Sequence, residues 1–295
     1  MQSVPLSGYS NFSTGGEADY FFEALTLEEL VKAVRTARQC SIRYYVIGAG
    51  CNLLFDDEGF RGLIIRNAAR GLSLRSGEGE VEALSGTPLD ELVRFCQESG
   101  LAGLEFLAGI PGTVGGAVFS NAGAFGRSMG EFLKEAVLLD EESQELSVGR
   151  DYFGFGYRYS SLKQEHHLLL KAVLILRRGK RKEIRKRIEE NLRKREKKHP
   201  PPHTKYAGSY FKNPVLPGGK KVPAASLLEE VGVKDLRVGG AGVCSLHSNF
   251  IINQQNASSR DILNLAKEIK RRVKKKFGIT LEEEVIFLPA DSSMP

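Results

Sequence analysis

The sequence predicts an α+β protein of more than one domain, and three features carry that prediction. Short β-rich runs alternate with glycine turns from about Ser10 to Gly130, amphipathic helices stand between them, and a Pro-rich break at Pro200–His203 precedes a second mixed zone. The 295 residues suffice for two or three domains of roughly 100–150 residues. With 41% hydrophobic and 26% charged residues, the composition is that of a globular chain with a core.

The β-rich runs of the first zone are YYVIGAG (44–50), GLIIRN (62–67) and GLEFLAGIPGTVGGA (103–117). Thr26 reads as the N-cap of the helix 27–40, with Glu29 completing a capping box and Leu27, Leu30, Val31 and Val34 on one face. A second amphipathic helix spans Pro88 to Ser99, with Leu89, Leu92, Val93 and Cys96 inward. Strand, helix and strand in this order argue for an α+β or α/β domain. In the middle zone AVLLDEESQELSV (136–148) reads as a hairpin and HLLLKAVLILRR (167–178) as a buried strand. A basic helix follows from about Arg181 to Lys198, stopped by the Pro-rich break, a plausible domain linker. The last zone offers a helical SLLEEVGVKD (226–235), a glycine-rich VGGAGV and an apolar FIIN. Ser258 or Ser259 then caps a helix with Ile262, Leu265, Ile269 and Val273 buried; Gly278 ends it, and ITLEEEVIFL (279–288) reads as a strand.

Several function classes recede. No apolar run approaches the ~20 residues of a membrane span, and Met1 to Asn11 lacks the basic and apolar segments of a secretory signal. Cys40, Cys51, Cys96 and Cys244 lie far apart, as buried or semi-buried reduced thiols of a cytosolic protein do. No ligand spacing supports a metal site. Of the net charge of +6, Arg177 to Lys198 alone contributes +9, from 13 basic and 4 acidic residues, so the rest of the chain is −3. The positive charge is one segment, with a shorter echo at Lys270–Lys276.

Two glycine loops carry the candidate chemistry. Residues 48–52 follow a strand, and successive N–H groups of such a turn form an anion-binding concavity; glycine turns after strands are also common without a ligand. Leu53 stands where a G-x-G-x-x-G fingerprint has its third glycine. The second loop, AGIPGTVGGA (108–117) with NAGAFG (121–126) after it, is far denser. Ordering that much glycine is entropically costly, which points to a ligand with phosphate; Thr113 adds a hydroxyl and Asn121 an amide suited to a ring edge or ribose. Which nucleotide is bound is not legible at this level.

Polar groups cluster elsewhere too. Arg158, in FGFGYRYSSLK (153–163), can grip a carboxylate or phosphate with two prongs, or form a surface ion pair. Ser209, in GSYFKNP (208–214), is a proton donor if a charged neighbour assists it, and otherwise a turn serine. In Glu282-Glu283-Glu284, period-2 alternation sets Glu282 and Glu284 on one face, and at least one acid outward. His247 and Asn249 form a polar pair before an apolar strand.

Seven motifs, in order, resemble the UDP-N-acetylenolpyruvoylglucosamine reductase (MurB) family: NFSTGGEADY (11–20), VIGAGCNLLFDDEGFRGLII (46–65), GLEFLAGIPGTVGGAVFSNAGAFG (103–126), FGYRYSSLK (155–163), GSYFKNP (208–214), HSNFIIN (247–253) and LEEEV (281–285). The resemblance implies a two-part FAD-binding domain of the vanillyl-alcohol-oxidase (PCMH-type) superfamily plus a C-terminal α/β substrate domain. It implies subdomains over 1–66 and 67–180, with the strand 283–295 returning to the first, and a substrate domain over 200–282. It implies FAD reduced by NADPH, and hydride transfer to the enolpyruvyl ether of a UDP-sugar to give UDP-N-acetylmuramate. Carried over residue by residue, Arg158, Ser209 and Glu284 are catalytic. Ile47, Gly48, Ala49, Gly50, Cys51, Asn52, Gly112, Thr113, Gly115, Gly116, Asn121 and Gly123 bind the cofactor, and Tyr157, Lys212 and Asn213 the substrate. A cytoplasmic monomer without nucleic-acid or membrane partners is the accompanying expectation. Three positions depart from the family pattern: Cys51 replaces a serine, Glu283 the proline of LEPEV, and Ser85-Gly86-Thr87 a glycine-richer turn. The interval from Arg158 to Ser209 is short, as in the type II subtype.

Two rival readings are specific enough to test. One is a different flavin oxidoreductase of the same superfamily, for which Cys51 is the obvious covalent tether. The other is an RNA-binding protein using the basic helix, although Ile184, Ile188 and Leu192 recur every fourth residue, so that one face packs and the charges face water.

Overall fold

In a computed structural model, described over residues 2–76, 78–201, 203–216 and 218–291, the chain divides into two units. One comprises Phe22–Ala49 and Leu63–Arg195, the other Met1–Phe21, Gly50–Gly62 and Glu196–Pro295. Pro202 of the Pro-rich break and residues 292–295 of the returning tail lie outside the described residues.

In the first unit, helix α1 (Leu27–Gln39) starts on the expected capping box: Thr26 accepts the Glu29 N–H at 3.1 Å, and the Glu29 carboxylate accepts the Thr26 N–H at 3.3 Å. Its apolar stripe of Leu30, Val34 and Ala37 packs with Leu63, Ile65, Leu139 and Leu170. The strand Tyr44–Ile47 runs parallel to Leu63–Arg66. A five-stranded antiparallel sheet follows in the order Glu145–Gly149, Leu133–Leu139, Leu168–Ile175, Glu80–Leu84 and Leu72–Leu74. The hairpin and the buried strand expected from sequence are its first three members, and the buried strand is central. Helix α2 (Leu89–Glu98) buries Leu89, Leu92, Val93 and Cys96 in the core beside Val114, Ala117 and Val118 of the short helix α3 (Val114–Phe119). Helix α4 (Arg181–Glu196) stops two residues short of the expected Lys198, because Pro200 disfavours helical geometry in the residue before it.

The second unit holds α5 (Ala224–Glu230), shorter than the sequence suggests, and α6 (Ser259–Phe277). VGGAGV and FIIN become a three-stranded sheet of Arg237–Val238, Ala241–Val243 and Ile251–Asn253. Of the two candidate caps for α6 it is Ser258 that caps, accepting the Asp261 N–H at 3.0 Å, while Gly278 at φ +72° closes the helix. Ile262, Leu265, Ile269 and Val273 are buried as expected, with Leu228, Val243 and Ile251. The strand expected over 279–288 is regular only at Ile286–Leu288, parallel to Leu53–Phe55. Residues before it make a single bridge, Glu283 to Phe211, because this stretch changes partner midway. Among the described residues no helix is long and apolar enough to cross a membrane.

Candidate active site

The division of the chain falls inside the first glycine loop: Ile47, Gly48 and Ala49 belong to the first unit, Gly50, Cys51 and Asn52 to the second. In the first unit the two glycine loops meet. A Cβ on Gly48 would lie 2.5 Å from Thr113 Oγ1, so only glycine lets Thr113 seat there. Thr113 also caps α3, accepting weakly from the Gly116 N–H at 3.4 Å, and the Gly115 N–H is spent on the Ser85 carbonyl at 2.7 Å. Among the described residues, the N–H groups of Gly109, Gly112 and Thr113 donate to no protein group. Gly116 sits within a helix, where glycine is costly, yet a Cβ there would meet no protein atom closer than 3.8 Å. Open donors and a bare, exposed backbone are a cradle that the diphosphate of a dinucleotide fits.

Tyr157 and Arg158 form the tip of a tight turn closed by Gly156 and Tyr159, with Arg158 at φ +55°. Asn121 is buried, and its amide is engaged at both ends: Nδ2 donates to the Gly156 carbonyl at 2.7 Å and Oδ1 accepts from Gly130 N–H at 2.9 Å. Arg158 Nη1 donates to the Gly123 carbonyl at 3.1 Å, and its guanidinium lies 5.5 Å from the Tyr157 ring centre. Asn121 and Gly123 thus fix the turn that carries Arg158.

In the second unit the stretch 282–288 gathers three predicted site segments. The Glu284 N–H donates to the Tyr210 carbonyl at 2.7 Å and the Lys212 N–H to the Glu282 carbonyl at 2.9 Å, which sets Ser209 beside the Glu284 end. Asn52 Nδ2 donates to the Glu284 carbonyl at 2.8 Å, and the Ile286 N–H to the Asn52 carbonyl at 3.0 Å. Asn249 brackets the serine segment from behind, its amide accepting from the Phe211 N–H at 3.0 Å and donating to the Phe211 carbonyl at 2.8 Å. Two acids of the run are paired, Glu282 with Lys212 at 3.0 Å and Glu283 with Lys270 at 3.2 Å. Asn213 Oδ1 accepts the Ala224 N–H at 2.9 Å, at the start of α5. Burial, with the Glu283 charge, pushes the Tyr210 phenol up, so that it stays a neutral packing group.

The thiol of Cys51 is pushed up to about 11 by burial, against a hydrogen bond with Asn11. Cys40 is exposed, unlike the buried or semi-buried state expected of all four cysteines. A charge-lined groove of about 800 Å³ lies elsewhere, among Glu105, Arg127, Phe132, Arg177, Arg178 and Arg187, and none of its lining residues is a predicted site residue. Sequence reasoning missed the reach of Asn52 to Glu284 and a set of arginine contacts from α4. It set every charge of that helix in water, but Arg187 and Arg195 turn back onto the chain.

The fold and its glycine cradle define a flavin-binding protein: residues 18–147 match the FAD binding domain family, and residues 200–288 match the UDP-N-acetylenolpyruvoylglucosamine reductase, C-terminal domain. Reductases of that name from Prochlorococcus marinus and Clostridium botulinum are 39% identical over 286 residues and 34% over 291. They cover 96% and 99% of this chain, and 96% and 93% of their own lengths. The crystal structure of the reductase from Thermus caldophilus superimposes with a TM-score of 0.81 at 34% identity, covering 98% of both chains. The chain belongs to the UDP-N-acetylenolpyruvoylglucosamine reductase family.

Proposed function

We propose that this chain reduces UDP-N-acetylglucosamine enolpyruvate to UDP-N-acetylmuramate, an oxidoreductase step of peptidoglycan precursor synthesis, with Arg158, Ser209 and Glu284 as its catalytic residues. The observation that carries the assignment is the stretch 282–288, which pairs with the Ser209 segment at one end and with the flavin loop at Asn52 at the other. When bound, FAD supplies the carrier that accepts hydride from NADPH and passes it to C3 of the enolpyruvyl group. Ile47–Asn52 with Gly112, Thr113, Gly115, Gly116, Asn121 and Gly123 hold and frame it. Hydride at C3 leaves negative charge on C2 and the carboxylate of the substrate. Arg158 and Glu284 polarise and stabilise that species. Ser209 Oγ gives its proton to C2, which completes addition of one hydride and one proton across the double bond. Tyr157, Lys212 and Asn213 frame the substrate. Lys212 keeps Glu282 engaged, and Asn213 anchors α5.

The short interval from Arg158 to Ser209 supports the type II subtype. The same reading assigns 1–66 and 67–180 to the two parts of the flavin domain and 200–282 to the substrate domain. It makes the protein a cytoplasmic monomer without nucleic-acid partners. Stopped-flow kinetics of Ser209→Ala test the core of the proposal. Flavin bleaching by NADPH should proceed at the parent rate, while reoxidation by the enolpyruvyl UDP-sugar stalls by about 10²-fold or more. Equal loss in both half-reactions removes Ser209 from the acid role.

A further inference from the structure

We propose that the basic helix α4 is a clamp on the second glycine loop, with Arg195 and Asn191 as positioning residues for the segment that binds the flavin diphosphate. The inference rests on the reading of residues 109–116 as part of the FAD cradle. Arg187, Asn191 and Arg195 recur every fourth residue and so share one helical face. All three reach the chain that enters the loop. Arg187 Nε meets the buried Glu105 carboxylate at 2.9 Å, and Asn191 Nδ2 donates to the Glu105 carbonyl at 2.9 Å. Arg195 spans two further carbonyls, Nε to Ala108 at 2.8 Å and Nη2 to Phe106 at 3.1 Å. Leu192, between them, approaches Gly109 so closely that a Cβ there would lie 2.9 Å from Leu192 Cδ2. The guanidinium of Arg195 and the ammonium of Lys194 also lie 5.3 and 5.5 Å from the ring centre of Phe125, in the glycine segment that follows α3. One end of α4 therefore holds both limbs of the glycine region.

The consequence is directional. In a planar trans peptide the N–H points opposite to the C=O. Turning the Ala108 carbonyl to Arg195 aims the Gly109 N–H away from α4, and that N–H is one of the donors with no protein acceptor among the described residues. Glycine backbone loses more freedom on ordering than any other. A clamp that orders it beforehand takes that cost out of the binding step.

The test is titration of apo-protein with FAD, read by flavin fluorescence, alongside the melting temperature of each apo-protein. Arg195→Ala and Asn191→Ala should weaken FAD about tenfold, the scale of a hydrogen bond of this kind, and lower the apo melting temperature only by the few degrees that lost hydrogen bonds cost, so that each variant is fully folded during the titration. Arg195→Lys keeps the charge but not the two-pronged geometry, so it retains most of the defect. Arg193→Ala, an exposed loss of the same charge on the same helix, should bind FAD like the parent. Parent-like FAD affinity in Arg195→Ala overturns the clamp. So does an equal loss in Arg193→Ala, which would mark a general charge effect, or an Arg195→Ala apo-protein already unfolded at the titration temperature, which would make Arg195 a prop of the whole fold. Gly116→Ala separates this failure from that of the underlying reading. If it weakens FAD while Arg195→Ala does not, only the clamp is wrong; if neither does, the loop is not the cradle.

Discussion

Cys51 lies in the first glycine loop, which we propose binds the flavin, and burial governs its thiol. With the thiol pushed up to about 11, only about one molecule in a thousand carries the thiolate at pH 8. A covalent link to flavin through this sulfur is disfavoured for that reason. Peptide mapping after brief alkylation at pH 8 should find exposed Cys40 labelled and Cys51 untouched, with Cys51 labelling rising as pH approaches 11. Equal labelling of the two at pH 8 would refute this account. Gly116 allows an opposite kind of test. Alanine fits its space and is the better helix former, so Gly116→Ala should raise apo stability in denaturant by up to about 1 kcal/mol while weakening FAD. A variant neither stabilised nor impaired in FAD binding would deny the glycine a ligand role. At this scale the sequence was informative about identity and poor about partners. Arg158, Ser209 and Glu284 were singled out through the order of motifs, and Asn121, read as a ligand amide, turns its amide to Gly156 and Gly130.

Helices were the most legible elements, because caps and apolar stripes are local. The α6 cap was open between two serines in the sequence. Ser258 caps, and Ser259 instead donates its hydroxyl to Asp57 at 2.9 Å. Asp261 closes the box: its carboxylate accepts from the Ser258 N–H at 3.1 Å and the Gly240 N–H at 3.2 Å, and these bonds hold it below the usual carboxylate range. A depressed carboxyl stabilises the fold above its unfolded pKa of about 3.9 and loses that effect as pH falls through the folded value. Asp261→Ala should therefore destabilise the fold modestly at pH 7, screened as the carboxylate is by solvent, and the difference from parent should shrink below about pH 4. A penalty independent of pH would assign the effect to packing. The contacts of α4 were not legible for a different reason. Its apolar period placed Ile184 in the core correctly, but a guanidinium on a long stem takes partners far away in sequence: Phe106 and Arg195 are 89 residues apart. No local pattern records such a pairing.

At the scale of the whole molecule the chain is interleaved, and composition gives no sign of it. The boundaries at Phe21, Ala49 and Gly62 fall inside strands or a tight loop, where nothing in the residue types changes. From its residues alone the end of the chain was legible as an apolar strand with three acids at its entry; that it returns to the early part of the chain came from the resemblance, without the register. Its partner, Leu53–Phe55, is more than 200 residues earlier. That pairing has a measurable consequence, because the second unit's share of the first glycine loop, proposed to bind the flavin, leans on it. The Ile286 N–H donates to the Asn52 carbonyl, Leu288 accepts from the Asp56 N–H at 3.0 Å, and Ala290 accepts from the Arg61 N–H at 3.0 Å. Each such bond is worth on the order of 1 kcal/mol, and leaving the partner groups unsatisfied adds to the loss. Burial of Leu288 contributes roughly 2 kcal/mol more. Deleting Ile286–Pro295 keeps Ser209 and Glu284 but removes all of these, so the truncated chain should lose several kcal/mol of stability in denaturant and most of its FAD affinity. Retention of both would mean that Gly50–Phe55 holds its shape without the end of the chain. In that case Glu284 would have to be positioned by the Tyr210 carbonyl and Asn52 amide alone.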